Sequence, residues 1–258
     1  MTDLSAFSLR GKTIMVTGAN TGIGQGIALA IGRAGGSVIA VGRSSMDETE
    51  ELFRQCSAKS GSISHKSIAF GANVDPKLML DEAWDEAGRI DGLVNNAGII
   101  RRADALDFTQ EDWDDVMDIN LKTVFFLSQA FARRVLQTPE KKGKIVNIAS
   151  MLSFQGGIRV ASYTASKSGV MGLTRLLACE WAQKGINVNA IAPGYIETNN
   201  TEALRADPDR NAQILGRIPA GRWGEPSDIG DAAVFLLARA SDYMHGTTIP
   251  VDGGWLAR

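Results

Sequence analysis

The sequence predicts an α/β protein built on one doubly wound parallel sheet of about seven strands, with helices on both faces. Three observations carry that expectation. Short apolar runs recur between glycines, as strands buried on both faces require. Segments with helical spacing lie between those runs. A chain of 258 residues with no repeat, low-complexity tract or linker suits one large core.

Ile14-Met15-Val16 reads as the first strand, and Ile23 to Ala34, rich in Ala, Ile and Leu, as the first helix. Val38 to Val41 is the second strand, Asp47 to Ser60 a more polar helix, and Ser67 to Phe70 a third strand. Asp75-Pro76 opens another helix, with Asp as cap and Pro at the first position. Leu93-Val94, Ile145 to Ile148, Val188 to Ile191 and Ile249 to Val251 supply the remaining strands, and long helices are expected at Thr109 to Val135 and Ser162 to Ala182. One domain over 1–258 is expected, with a substrate-loop region at about 193–224. That segment holds three prolines and clustered polar residues. A surface loop is the plainer reading; its place after a strand end favours a lid over substrate.

Composition excludes several functions. With 44% hydrophobic and 22% charged residues the chain matches an ordinary soluble globular protein. A net charge of -2 and pI near 5.8 give no electrostatic case for nucleic acid or an anionic membrane. Met1 to Ser5 lacks the basic and apolar regions of a signal peptide, and no apolar run approaches the span of about 18 residues that a membrane helix needs. Cys56, Cys179, His65 and His245 are scattered, so neither a metal site nor a disulfide is expected. The expected compartment is the cytoplasm.

The chemistry begins at Val16-Thr17-Gly18-Ala19-Asn20-Thr21-Gly22-Ile23-Gly24, between the first strand and first helix. Glycines there allow a tight turn and close backbone approach, and the helix N-terminus offers free N–H groups to a diphosphate. The spacing G-x-x-x-G-x-G departs from the usual G-x-G-x-x-G, and a purely structural turn is the plainer alternative. A carboxylate at the end of the second strand would bind an adenosine ribose hydroxyl, whereas an arginine would suit a 2′-phosphate. This chain has Gly42 there, followed by Arg43, which leans toward NADP unless Arg43 is only a solvated charge.

Tyr163 and Lys167 are spaced i, i+4 and share a helix face. A free tyrosine, with a pKa of about 10, is a poor acid–base catalyst at neutral pH, and a nearby ammonium favours its phenolate. A three-unit decrease corresponds to roughly 4 kcal/mol. Ser150, at the end of the Ile145–Ile148 strand, can hold a substrate oxygen beside the phenol; Ser153 competes for that role. Arg101, Arg102 and Arg159 can each bind a carboxylate through paired hydrogen bonds, or serve as surface charges.

Together, Thr17 to Gly24, Asn95-Asn96-Ala97-Gly98, Asn120, Ser150, Tyr163 with Lys167, and Pro193-Gly194 resemble the short-chain dehydrogenase/reductase family, over nearly the whole chain. The resemblance implies a single-domain Rossmann-type enzyme that uses NAD or NADP, with Tyr163 as general acid–base, Lys167 on the nicotinamide ribose and Ser150 orienting substrate. It implies that Asn120 anchors a proton-relay water, although an amide in an amphipathic helix ordinarily faces solvent. Asn96, Ala97 and Gly98 would line the cofactor, Asn73 and Val74 the adenine, and Pro193, Gly194, Ile196 and Thr198 the nicotinamide. A homotetramer is also implied, and the apolar residues Val124-Phe125-Phe126 and Leu173 to Leu177 suit either subunit contacts or core packing.

Within the family, Asn147 to Arg159, Ile100-Arg101-Arg102, Ala192 to Tyr195, Thr198 to Thr201 and Val251 to Arg258 resemble bacterial 2-dehydro-3-deoxy-D-gluconate 5-dehydrogenases, also called 2-deoxy-D-gluconate 3-dehydrogenases. Those enzymes are usually NAD-linked, against the lean from Arg43. The expected activity is hydride transfer between a nicotinamide cofactor and a secondary alcohol or ketone of a small sugar acid. The alternatives are a 3-oxoacyl-thioester reductase, a polyol dehydrogenase, or a nicotinamide-binding sensor without turnover.

Overall fold

The computed structural model describes residues 4–57, 61–71 and 74–258. In chain order the elements are β1 (Thr13–Thr17), α1 (Gly22–Arg33), β2 (Ser37–Gly42), α2 (Asp47–Cys56), β3 (Ile63–Ser67), α3 (Pro76–Ala87), β4 (Gly92–Asn95), α4 (Gln110–Met117), α5 (Thr123–Gln137), β5 (Gly143–Ile148), α6 (Ala161–Trp181), β6 (Ile186–Pro193), α7 (Glu202–Ala206), α8 (Pro208–Leu215), α9 (Pro226–Leu237) and β7 (Thr248–Val251). The strands form one sheet in the order β3-β2-β1-β4-β5-β6-β7, with every pair parallel. The order reverses between β1 and β4, so the crevice beyond their carboxyl ends is where this architecture binds ligands.

Side chains alternate across the sheet. Ile14 and Val16 of β1 face a core shared with α1 and α9, where Ile27, Ile31, Ile229 and Leu236 are fully buried. Met15 faces the opposite layer, with Leu80, Phe131 and Leu177 from α3, α5 and α6. Cores on both faces make this a single-domain, three-layer Rossmann-like protein.

Three elements differ from the sequence reading. The third strand runs over Ile63–Ser67, paired Val38↔Ile63 to Gly42↔Ser67, rather than over Ser67–Phe70. Pairing to β2 selects this half-exposed edge strand, while the apolar Ile68 and Phe70 pack below it from the following loop. Helix α2 ends at Cys56, with Ser57 already extended; the rest of its expected span, 58–60, lies outside the described residues. The expected helix from Thr109 to Val135 is interrupted by a π turn, Asp118–Lys122, in which both the N–H and the hydroxyl of Thr123 donate to the Asp118 carbonyl. The 193–224 segment holds α7 and α8, the latter capped by Asp207 ahead of Pro208. No helix among the described residues is long and apolar enough to cross a membrane.

Helices α1 and α9 cross through glycines. A Cβ on Gly26 would lie 2.6 Å from the Pro226 main chain, and one on Gly230 would lie 2.7 Å from the Gly26 carbonyl oxygen. Gly26→Ala should therefore destabilise the fold by about 1–3 kcal/mol, as overpacking does. Urea unfolding followed by circular dichroism tests this, and an unchanged midpoint would contradict the tight crossing.

Candidate active site

The cradle at the switch point follows from backbone geometry. Gly18 and Gly22 have φ of +66° and +56°, a region that favours glycine. A Cβ on Gly24 would collide with the Gly18 carbonyl and the Asn96 side chain. Thr21 precedes α1 without a side-chain cap, and the first turn carries no acid, so neither a side-chain cap nor a negative charge competes for the N–H groups of its first turn, with Ile23 among them. A diphosphate fits that donor set. The cradle is braced from β4: Asn96 Nδ2 donates to the carbonyls of Thr17 (2.9 Å) and Gly18 (3.1 Å), and the Asn96 and Ala97 N–H groups donate to Thr17 Oγ1. The Thr198 methyl group stands over Gly22, 3.1 Å from where a Cβ would be. Pro193 and Ile196 are buried, and Gly194 lies so close to Asp252 that its Cβ would be 2.6 Å from the Asp252 Cα. The loop after β6 thus closes on the same crevice. The Val74 N–H donates to the Gly71 carbonyl at 3.2 Å, and Asn73 lies outside the described residues.

Beyond β5, Ser150, Tyr163 and Lys167 come together. Lys167 is 5% exposed; its ammonium donates to the Ile148 carbonyl at 2.6 Å and lies 5.7 Å from the Tyr163 ring centroid. The i, i+4 pair therefore does share one face. Burial lowers the Lys167 ammonium to about 8. Tyr163 behaves differently from expectation: burial pushes its phenol above the ordinary value, opposed by a hydrogen bond with the Ser150 hydroxyl and by the Arg102 charge. In the chain alone Lys167 does not overcome that desolvation.

The two candidate serines separate by their partners. Ser153 donates its hydroxyl hydrogen to the Lys167 carbonyl at 2.7 Å, so it anchors the turn to α6. Ser150 Oγ accepts the Leu152 N–H at 3.1 Å, which leaves its own hydrogen for another acceptor. Asn120 is fully buried within the π turn, not solvent-facing. Its Oδ1 accepts the Ile99 N–H, and its Nδ2 donates to the Ile99 carbonyl and to Ser166 Oγ, whose hydroxyl donates to the Tyr163 carbonyl at 2.8 Å. Gly98 makes room for this amide: its Cβ would lie 3.1 Å from Asn120 Oδ1. Among the described residues no cluster of His, Cys, Asp and Glu could hold a metal ion.

Comparison with known proteins agrees with this geometry. A family model described as "Enoyl-(Acyl carrier protein) reductase" matches residues 18–256. The chain is 56% identical to the 2-dehydro-3-deoxy-D-gluconate 5-dehydrogenase of Escherichia coli K12, with 99% of each chain covered. It belongs to the short-chain dehydrogenase/reductase family. An Agrobacterium tumefaciens protein solved with bound NADP, and provisionally named a 2-deoxy-D-gluconate 3-dehydrogenase, is 58% identical with a TM-score of 0.91, over 98% of this chain and 99% of that one. A Beutenbergia cavernae structure, provisionally an NAD(P)-dependent gluconate 5-dehydrogenase with NADP at low occupancy, is 47% identical with a TM-score of 0.91, over 98% and 100% of the two chains.

In this short-chain dehydrogenase/reductase, the end of β2 carries Gly42 and Arg43 in place of a ribose-binding acid. A Cβ on Gly42 would meet the flexible tips of Met46 (Cε, 2.6 Å) and Asn20 (Oδ1, 2.9 Å), so a larger residue there would have to displace both. Arg43 beside it is exposed and makes no ion pair among the described residues. Two of the three candidate substrate arginines are already engaged: Arg101 pairs with Asp112 (3.1 Å) and Asp115 (3.0 Å), and Arg159 pairs with Asp104 (3.1 Å). Arg102, whose charge reaches Tyr163, makes no such pair among the described residues. Ser166 escaped sequence reading; its only signal is its place three residues after Tyr163, next to Lys167.

The buried ammonium has a stability signature. Its folded pKa of about 8 lies below the unfolded value of about 10.4, so above pH 8 the unfolded chain binds more protons and folding gains stability as pH rises. Relative to Lys167→Met, wild type should gain about 2 kcal/mol between pH 7 and 9.5 in urea unfolding. A pH-independent difference would contradict a desolvated ammonium.

Proposed function

We propose that this short-chain dehydrogenase/reductase interconverts a secondary alcohol and a ketone on a small sugar acid of the 2-dehydro-3-deoxy-D-gluconate or 2-deoxy-D-gluconate type, with NADP as the preferred cofactor. The observation that carries this reading is the meeting of Ser150, Tyr163 and Lys167 beside a phosphate cradle, with the uncommitted guanidinium of Arg102 close enough to act on the Tyr163 phenol. The relatives named above, active on or named for sugar acids over their full length, support the substrate class. NADP in the related structures and the exposed Arg43, which makes no ion pair among the described residues, support the cofactor.

Bound nicotinamide supplies or accepts the hydride at the carbon bearing the reacting oxygen. The residues of this chain manage the proton and the charge. Tyr163, neutral at physiological pH because burial raises its phenol, donates its proton to the nascent alkoxide during reduction. Ser150, whose hydroxyl meets the Tyr163 phenol in the free protein, turns its hydrogen to the same substrate oxygen and stabilises the developing charge. Lys167 spends one N–H on Ile148, and two remain for the nicotinamide ribose hydroxyls. In the oxidising direction its positive charge, held at the ring, favours the phenolate. Asn120 positions Tyr163 through Ser166, and Asn20, Thr21, Asn96, Pro193, Ile196 and Thr198 line the cofactor. Arg102 binds the substrate carboxylate.

We also infer a cytoplasmic homotetramer. Phe126 and Leu176 are 43% and 47% exposed on α5 and α6, beside a groove of about 580 Å³ lined by Leu121, Phe125 and Leu173. Val124 and Leu177, by contrast, are core residues. A thioester reductase remains the second reading because of the family model's description. Its acidic carrier would want a basic mouth, and Asp104, Asp112 and Asp115 neutralise two of the arginines there.

Tyr163→Phe should lower kcat by about 10³-fold with NADPH affinity unchanged, the size expected for loss of a positioned proton donor. Equal turnover by both proteins would refute the assignment; turnover by neither would support a sensor. Ser150→Ala should lose turnover while Ser153→Ala keeps it, and the reverse would exchange the two serines. Arg102→Ala should raise KM for the sugar acid about 10–100-fold with little change in kcat, as loss of a charged hydrogen-bond pair implies. An initial-rate panel with NAD and NADP against keto-deoxy and deoxy sugar acids, neutral polyols and acyl thioesters checks the substrate class; activity confined to the last two would overturn it.

A further inference from the structure

We infer that Trp255, at the C-terminal end of the chain, is a positioning residue that couples docking of the α7–α8 segment to the placement of Ser150. This rests on the catalytic reading above but goes beyond it, since Trp255 lies outside the reacting groups.

The inference comes from what converges on one ring. Trp255 is 4% exposed, and its Nε1 donates to Gln155 Oε1 at 3.2 Å. Gln155 closes the turn that starts at Ser150, its own N–H donating to the Met151 carbonyl at 3.2 Å. Met151, the residue after Ser150, packs in the same buried cluster as Trp255. On its other side the ring carries the lid: the Arg217 guanidinium lies 4.1 Å from its centroid, and Ile214 and Ile218, at the end of α8 and just after it, complete the cluster. The Tyr195 ring, from the loop after β6, meets it edge-on at 4.8 Å.

The ring's position is set by strict backbone requirements. Gly253 and Gly254 have φ of +63° and +87° in succession, and a Cβ on Gly253 would lie 2.8 Å from Ile218 Cγ2. Asp252 accepts the N–H groups of Gly254 and Leu256, both at 2.9 Å, through its two carboxylate oxygens. The tail is thus a rigid wedge between the lid and the serine turn. That turn has two anchors: Ser153 on the Lys167 carbonyl at one side, and Gln155 on Trp255 at the other. If the second is lost, the direction of the Ser150 hydroxyl rests on the first alone, and the lid docks on a surface no longer registered to the serine.

The test uses the full-length protein with Trp255→Phe, Gln155→Ala and the double variant. Phe keeps an apolar ring under Arg217 and Tyr195 but cannot donate to Gln155. Hydrogen exchange without substrate should show amides at 151–155 and 208–218 both exchanging about 3–10-fold faster in Trp255→Phe, as expected for loss of a buried hydrogen bond. Loosening confined to 253–258 would overturn the coupling. In turnover, each single variant should lower kcat about 3–10-fold with NADPH dissociation constant unchanged, and the double variant should be no worse than either single. Additive losses, a parallel loss of cofactor affinity, or unchanged kcat would also overturn it. Coupled loosening in Trp255→Phe, with a wild type that reduces no sugar acid, would instead count against the proposed function and leave the coupling standing.

Discussion

A positive charge buried at the end of β5 is the constraint around which the site is organised. Placing an ammonium where it is 5% exposed is unfavourable, and the ordinary value of about 10.5 falls to about 8 as a result. The charge is held there by the Ile148 carbonyl, which ties α6 to β5, and by the face of the Tyr163 ring. Everything that matters chemically is measured from that point. Ser153 grips the Lys167 carbonyl, Ser166 grips the Tyr163 carbonyl, and Asn120 reaches Ser166 from the π turn. Phenol and ammonium therefore sit on one helix, and the serine hydroxyl on a turn locked to that helix rather than on a free loop.

The phenol is not pre-ionised by this arrangement. Burial raises it, and the opposing influences come from Ser150 and Arg102. A neutral phenol beside a still-charged lysine suits proton donation, and the oxidising direction needs further positive charge, which bound oxidised nicotinamide would supply. Arg102 contributes to this balance from the substrate side, so binding a carboxylate there would cancel part of its effect on Tyr163. Under the proposed function, one exposed arginine would link substrate recognition to proton transfer.

Much of this was legible in the sequence because it depends on local spacing. The glycine cradle, the Tyr163–Lys167 pair and the helix cap at Asp75 are properties of neighbouring residues, and each lies in the element expected. What escaped depends on partners distant in the chain. The third strand is chosen by register against β2, so the more apolar Ile68 and Phe70 misled a reading based on hydrophobicity. Asn120 looked like a solvent-facing amide, whereas the π turn rotates it inward onto Ile99, 21 residues away in sequence. The ion pairs of Arg101 with Asp112 and Asp115, and of Arg159 with Asp104, could not be read from spacing alone. Helix α9 went unassigned although Glu225-Pro226 and Asp228 form a capping box, since its apolar side is readable only against the glycines of α1.

The ionisation of Tyr163 is the most direct measure of the account. Tyrosine labelled with carbon-13 at Cζ gives one resonance for each of the three tyrosines, and Tyr163→Phe identifies the relevant one. Its titration should lie above 10 in the free protein, fall by at least one unit when NADP binds, and show no such fall in Lys167→Met, because the ammonium and the cofactor charge act together. A phenol that titrates identically with and without NADP, or that responds equally when Lys167 is absent, would contradict the claim that the buried ammonium and the cofactor charge together favour the phenolate.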